Sequence, residues 1–332
     1  INMKRRIIKQ GHNTLTITLP SKFAKRFNLK AGDEIDLSER ENGLFLATER
    51  RNEILKTQIN ITGLDIPTIW KYFMGAYRQG YDEITTYFDP NMKLDNPYKY
   101  FIKHKLDMKY EKESVKKNPV EFMQELVTRF IGYEIINYGK DFVLIKEMSE
   151  PTSREFDNSF RRVFLLLQQM VEEMSEALQK NDTKMLNHIH DIDTNLDKFH
   201  DYCIRILNKL GNKDQKKTSL LFSTLYFLEL IGDEFKNISH HLIYDYKKEN
   251  YKNIYEIIES IKQQFDLFYE VFYKFDKNKI TQMSELDKER YFNVNKVDKK
   301  VKKDCEKEIF HHLRVIAKYI NSLTELRIGM EF

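Results

Sequence analysis

The spacing of apolar residues in the second half of the chain constrains its fold more than any other feature. Over 189–210, Ile189, Ile192, Leu196, Phe199, Cys203, Ile206 and Leu210 recur every three or four positions, and over 220–242 Leu221, Thr224, Leu228, Ile231, Phe235, Ile238 and Leu242 do the same. That period is helical, so each stretch reads as an α-helix with one seam turned to a core. The same pattern places helices near 153–180, 183–210, 216–246, 250–275, 279–303 and 306–327, with breaks at Asn181-Asp182, Gly211-Asn212 and 276–278. Taken in two sets of three, they predict an all-α region over 151–332, built as two three-helix bundles at about 151–246 and 247–332.

Beside each of the first two seams lies a pair of acids four residues apart, Asp193 with Asp197 and Glu229 with Asp233. At about 3.6 residues per turn, such pairs stack along one face of a helix. Both pairs are offset equally from their own seam. Because helices joined by a short loop run antiparallel, the pairs either share one groove or both turn away from it. From spacing alone the plainer reading is a solvated face. Sharing brings four carboxylates together, and their repulsion is most simply relieved by a divalent cation with oxygen ligands. The motifs Asp193-Thr-Asn-Leu-Asp197 and Glu229-Leu-Ile-Gly-Asp233, on successive helices, resemble the paired acidic motifs of the PhoU family of phosphate-uptake regulators. In that family such residues hold metal clusters, so the resemblance implies that Asp193, Asp197, Glu229 and Asp233 bind a divalent or iron-type metal cluster. In the second set, the aligned positions 320–325 and 287–291 have each lost one acid, which argues against a second cluster.

A chain of 332 residues is long enough for two or three cored domains. Charged residues make up 32% and no apolar run reaches membrane-spanning length, which predicts no membrane insertion. Lys4, Arg5 and Arg6 lead into Lys9, Gln10 and His12 rather than an apolar run, so no signal peptide and a cytoplasmic protein are expected. Two cysteines, Cys203 and Cys305, cannot form a disulfide framework and read as structural. No Gly-rich phosphate cradle or nucleophile elbow is present, and the protein is not expected to be an enzyme. The carboxylate-x-x-histidine steps Asp197…His200 and Glu308…His311 lie in different bundles and lack the bridging glutamates of a di-iron site.

Net charge is only +4, but residues 1–32 hold eight basic groups and no acid, an electrostatic footprint for a polyanion. In the same stretch 6–9 reads as a strand, Gly11-His12-Asn13 as a turn, and Leu15 to Leu19 as an alternating strand stopped by Pro20. Ser21 is expected to cap a short helix over 22–27, followed by strands at 34–38 and 44–48 around Asn42-Gly43. Four short strands bury too little to stand alone, so dimerisation is expected. The order Thr18-Leu19-Pro20, Lys22-Phe23-Ala24-Lys25 and Leu29-Lys30-Ala31-Gly32-Asp33-Glu34-Ile35 resembles the AbrB/SpoVT swapped-hairpin domains, some of which are antitoxins. The resemblance, over about residues 4–48, implies a homodimeric barrel formed by the 1–50 domain and DNA contacts from Arg5, Arg6, Lys9 and Lys22.

Between these regions, 51–150 alternates strand and helix patterns: strands at 57–62 and 83–88, a helix at 65–79, and a strand carried by Ile102, His104, Leu106, Met108 and Tyr110. A helix opened by Pro119 runs to about 131, and a hairpin turns about Gly139-Lys140-Asp141. This order predicts a ferredoxin-like α/β domain with one added strand. The two resemblances together imply a phosphate-responsive transcription regulator whose partners are DNA, a second copy of the chain and the ATPase of a phosphate transporter. The alternative is a signalling adaptor that regulates the transporter without sequence-specific DNA binding.

Overall fold

The structure, a computed structural model, describes residues 4–40, 43–47, 54–94, 117–212, 214–245, 251–298 and 304–332. Backbone contacts divide the chain into two compact units, Ile1–Leu55 and Lys56–Phe332.

The first unit contains two separate antiparallel pairs. Strand β1 (Ile8–Gln10) pairs with β2 (Thr14–Thr16), and β3 (Asp36–Arg40) pairs with β4 (Gly43–Ala47). Gly11 turns the first hairpin at a φ of +71°, a conformation that costs a residue without a Cβ little. Helix α1 (Ser21–Arg26) lies between the pairs. Ser21 is not its cap. Pro20, with a φ of −60° and an extended ψ of 131°, takes the N-cap position, and no side chain caps the first turn. None of the described side chains of this unit is buried. Ile7, Leu15, Leu37 and Leu44 are each about two-thirds exposed, at 65%, 68%, 64% and 67%.

The second unit begins with a mixed sheet of β5 (Lys56–Asn60), β6 (Glu83–Tyr87), β7 (Tyr133–Tyr138) and β8 (Phe142–Glu147), in the order β5-β6-β8-β7. Helix α2 (Ile66–Arg78), capped by Asp65, connects the parallel neighbours β5 and β6. Helix α3 (Pro119–Val127), capped by Asn118, leads into the β7–β8 hairpin, and β8 runs antiparallel to β6. A ferredoxin-like sheet sets its first strand between two others. Among the described residues β5 borders only β6, its parallel neighbour across the α2 crossover. The strand expected around Ile102 to Tyr110 lies outside the described residues. Ile69, Phe73 and Tyr77 of α2 and Met123 and Leu126 of α3 are buried with Ile84, Val143 and Ile145 of the sheet.

The helical region follows as α4 (Ser153–Gln179), α5 (Ile189–Leu210), α6 (Gln215–His240), α7 (Lys252–Tyr273), α8 (Lys277–Asp298) and α9 (Asp304–Gly329). A capping box between Thr152 and Glu155 starts α4. Residues 183–188, expected to be α-helical, form a 3₁₀ segment ahead of α5. The two sets of three helices are joined lengthwise, α4 against α7 and α6 against α9, so that one hydrophobic core runs through both. Every seam residue from Leu221 on α6 to Leu242, in the π-helical turn that follows it, is buried. On α5 the seam is buried from Ile189 to Ile206 except for Phe199, which is half-buried against the core, while Leu210, the last helical residue before Gly211, is exposed.

Candidate functional site

The expected DNA contacts lie on the first unit. Arg5 and Arg6 precede β1, Lys9 is on β1, and Lys22 is in the first turn of α1; all four are exposed. Lys25 and Arg26 occupy the last turn of α1, where a cation is favoured by the helix dipole.

The second site is the groove between α5 and α6. Antiparallel packing brings the two acidic pairs to one place, and Gly232 makes the approach close enough. A Cβ at 232 would collide with Leu196 Cδ2 and come within 3.7 Å of Asp193 Oδ1. Of the two arrangements open from the spacing, the pairs share the groove. Asp193 is 2% exposed, and burial raises its pKa despite Lys236. Asp197 is held well above the usual carboxylate range, by burial and then by Asp193. The Glu229 carboxyl is pushed up to about 7 by burial, with Asp233 adding to the rise and Arg78 opposing it.

The cations that answer these acids come from three elements. Lys236 Nζ donates to Asp193 Oδ2 at 2.8 Å and to Asp233 Oδ1, tying α5 to α6. Arg129, just after α3, reaches Asp197 at 3.4 Å and lies over the Trp70 ring. From the end of α2, Arg78 donates through Nε to Asp201 Oδ1 at 2.8 Å and through Nη1 to the Tyr226 hydroxyl at 3.2 Å. Asp201 also takes His200 Nδ1 at 3.2 Å, so His200 is bound to its neighbour and not to Asp197.

A metal would need several of these oxygens to converge at roughly 2.0–2.6 Å. Among the described residues no group of three His, Cys, Asp or Glu side chains is placed to hold an ion. The four acids of the resemblance therefore meet in one groove but do not fit a metal as arranged, since the Lys236 ammonium bridges Asp193 and Asp233. Lys236 carried a signal in the sequence: it follows Asp233 by three positions, one turn along the same helix.

One further buried constellation has no counterpart in the spacing. Arg205, fully buried on α5, donates to the Tyr77 and Tyr81 carbonyls at 2.8 Å each and to Glu147 Oε1 at 3.0 Å, with its guanidinium 4.9 Å from the Tyr77 and Tyr133 ring centres. Lys209, one turn on, bonds Asp82 and Glu147. These contacts bind the sheet segment to the helical region within the second unit.

Residues 8–53 match the model of the MazE domain, a bacterial antitoxin domain for antidote–toxin recognition, and residues 160–242 match the PhoU domain. The first match spans both strand pairs and α1. The second spans most of α4 and all of α5 and α6, the helices that carry the acidic groove. No curated protein and no solved structure matches the chain.

Proposed function

The chain joins a MazE-type antitoxin domain to a PhoU domain, and from that premise we propose a phosphate-responsive transcription regulator that binds DNA through the first domain and receives phosphate-transport status through the second. Both matched domain types are regulatory rather than catalytic, which supports a non-enzymatic role. The observation that carries the reading is the union, in one chain, of a head whose first 32 residues are basic and free of acids with a PhoU domain. Arg5 and Arg6 are suited to bidentate bonds with guanine or phosphate, while Lys9 and Lys22 serve as point charges on the backbone.

The bareness of the head supports a homodimer. Its apolar side chains are exposed in one chain, and a second copy interleaving its hairpins is the occupant that covers them. The partner that delivers the signal is proposed to be the transporter ATPase. No helix among the described residues is long and apolar enough to cross a membrane.

Selection of genomic DNA fragments by the purified full chain tests the proposal. Enrichment of a recurrent sequence upstream of phosphate-transport genes is expected. Fragments retained without sequence preference, together with capture of the ATPase, would instead identify the adaptor.

A further inference from the structure

We infer that the acidic groove carries its own counter-cation: Lys236 stands in the structural place of the metal that the PhoU resemblance implies, and this chain's groove is complete without one. The inference is independent of whether the head binds DNA.

Lys236 joins one acid from each helix, Asp193 of α5 and Asp233 of α6, which is the bridging task a metal performs between two helices. An ammonium within hydrogen-bond distance of both carboxylates competes with a divalent ion for them. Two cations only a few ångströms apart repel strongly in a partly buried site. The remaining acids are answered from outside the bundle helices. Asp197 has Arg129, and Glu229 feels the charge of Arg78. Asp193 Oδ1 is the one oxygen of the four acids that is buried without a hydrogen-bond partner among the described residues. A single such atom, next to the bare face of Gly232, supplies one ligand and not the several that a hard cation requires.

A tethered ammonium differs from a metal in two measurable ways. It cannot be chelated, and it does not exchange. Its charge is also single, which leaves part of the acidity of the groove to the two arginines. Arg129 and Arg78 belong to the sheet segment, so the electrostatic balance of the PhoU-type helices depends on that segment being docked.

The test compares full-length protein treated with a chelator and protein given excess Mn²⁺ or Zn²⁺, by elemental analysis and by thermal melting. The wild type is expected to hold no stoichiometric metal and to melt at the same temperature in both conditions. Stoichiometric metal whose removal lowers the melting temperature overturns the inference. Lys236→Met removes the ammonium and keeps the stem. It is expected to melt several degrees lower in chelator and to gain a melting response to Mn²⁺ that the wild type lacks. A Lys236→Met protein that melts like the wild type, or shows no new response, contradicts the assigned role. If Lys236→Met does not fold, Lys236→Arg keeps the charge and decides the matter. Wild-type melting with no metal response supports the inference, and metal uptake by Lys236→Arg refutes it.

Discussion

Replacing Glu229 by Gln tests how the groove is charged. Glu229 projects from α6 toward Asp193, Asp197 and Asp201 of α5, shares its own helix with Asp233, and interacts electrostatically with Arg78 of α2 and Tyr319 of α9. Burial is the largest cause of its rise from an ordinary 4.5 to about 7. A carboxyl whose folded pKa exceeds its unfolded one is penalised only when it ionises. The stability it permits is complete below the unfolded value of 4.5 and is lost as the pH rises through about 7. At about 1.4 kcal/mol for each pH unit, the rise corresponds to about 3 kcal/mol, and screening by solvent at the partly open groove reduces the expected effect to about 1–2 kcal/mol. Asp193 and Asp197 are raised in the same direction, so the wild type keeps part of its slope; the difference between the two proteins isolates Glu229. Urea unfolding from about pH 5 to pH 8, followed by the single tryptophan, Trp70, reports the second unit directly. Glu229→Gln should gain on the wild type by that amount across the range, most of it between pH 5 and pH 7.5. A difference between the two proteins that stays flat with pH would refute the assignment of a half-buried, raised carboxyl at this position.

Four other outcomes are expected. Arg205→Leu should destabilise the second unit by about 3–5 kcal/mol in the same unfolding assay, because Glu147 and the Tyr77 and Tyr81 carbonyls lose their buried donor. Gly232→Ala should cost about 1–3 kcal/mol, since the added methyl meets Leu196 where α5 and α6 approach most closely; an unchanged urea midpoint would show that the crossing has slack. Sedimentation should find the full chain dimeric and a 56–332 fragment monomeric, and equal association of the two would move the interface out of the head. In DNA titrations the joint change Arg6→Ala with Lys22→Ala should flatten the dependence of log K on log salt by about 0.9 for each phosphate no longer neutralised; an unaltered slope removes both residues from the interface.

Much of this molecule was legible without coordinates because its elements are long and strongly periodic. Seam residues from Leu221 to Leu242 predict their own burial, since a helix can present one stripe to a core and only apolar side chains gain from being there. The β7–β8 hairpin is readable for a similar reason: Gly139-Lys140-Asp141 interrupts two alternating runs. Even the convergence of four acids was half-determined by equal offsets on antiparallel helices, with the choice between shared groove and solvated faces left open.

What closed that choice was distance in space. Local pattern specifies which face of a helix is apolar, but the partner of a polar group is selected by whatever the fold carries to it. Arg129 and Asp197 are separated by 68 positions and Arg205 and Tyr77 by 128, so no window of sequence contains either pair. The same holds for the parallel pairing of β5 with β6, which rests on a helical crossover and not on the composition of either strand. Lys236 combines both kinds of determination. Its bond to Asp233 follows from one helical turn, whereas its bond to Asp193, which makes it the groove's counter-cation, exists only because Gly232 lets the two helices close on each other.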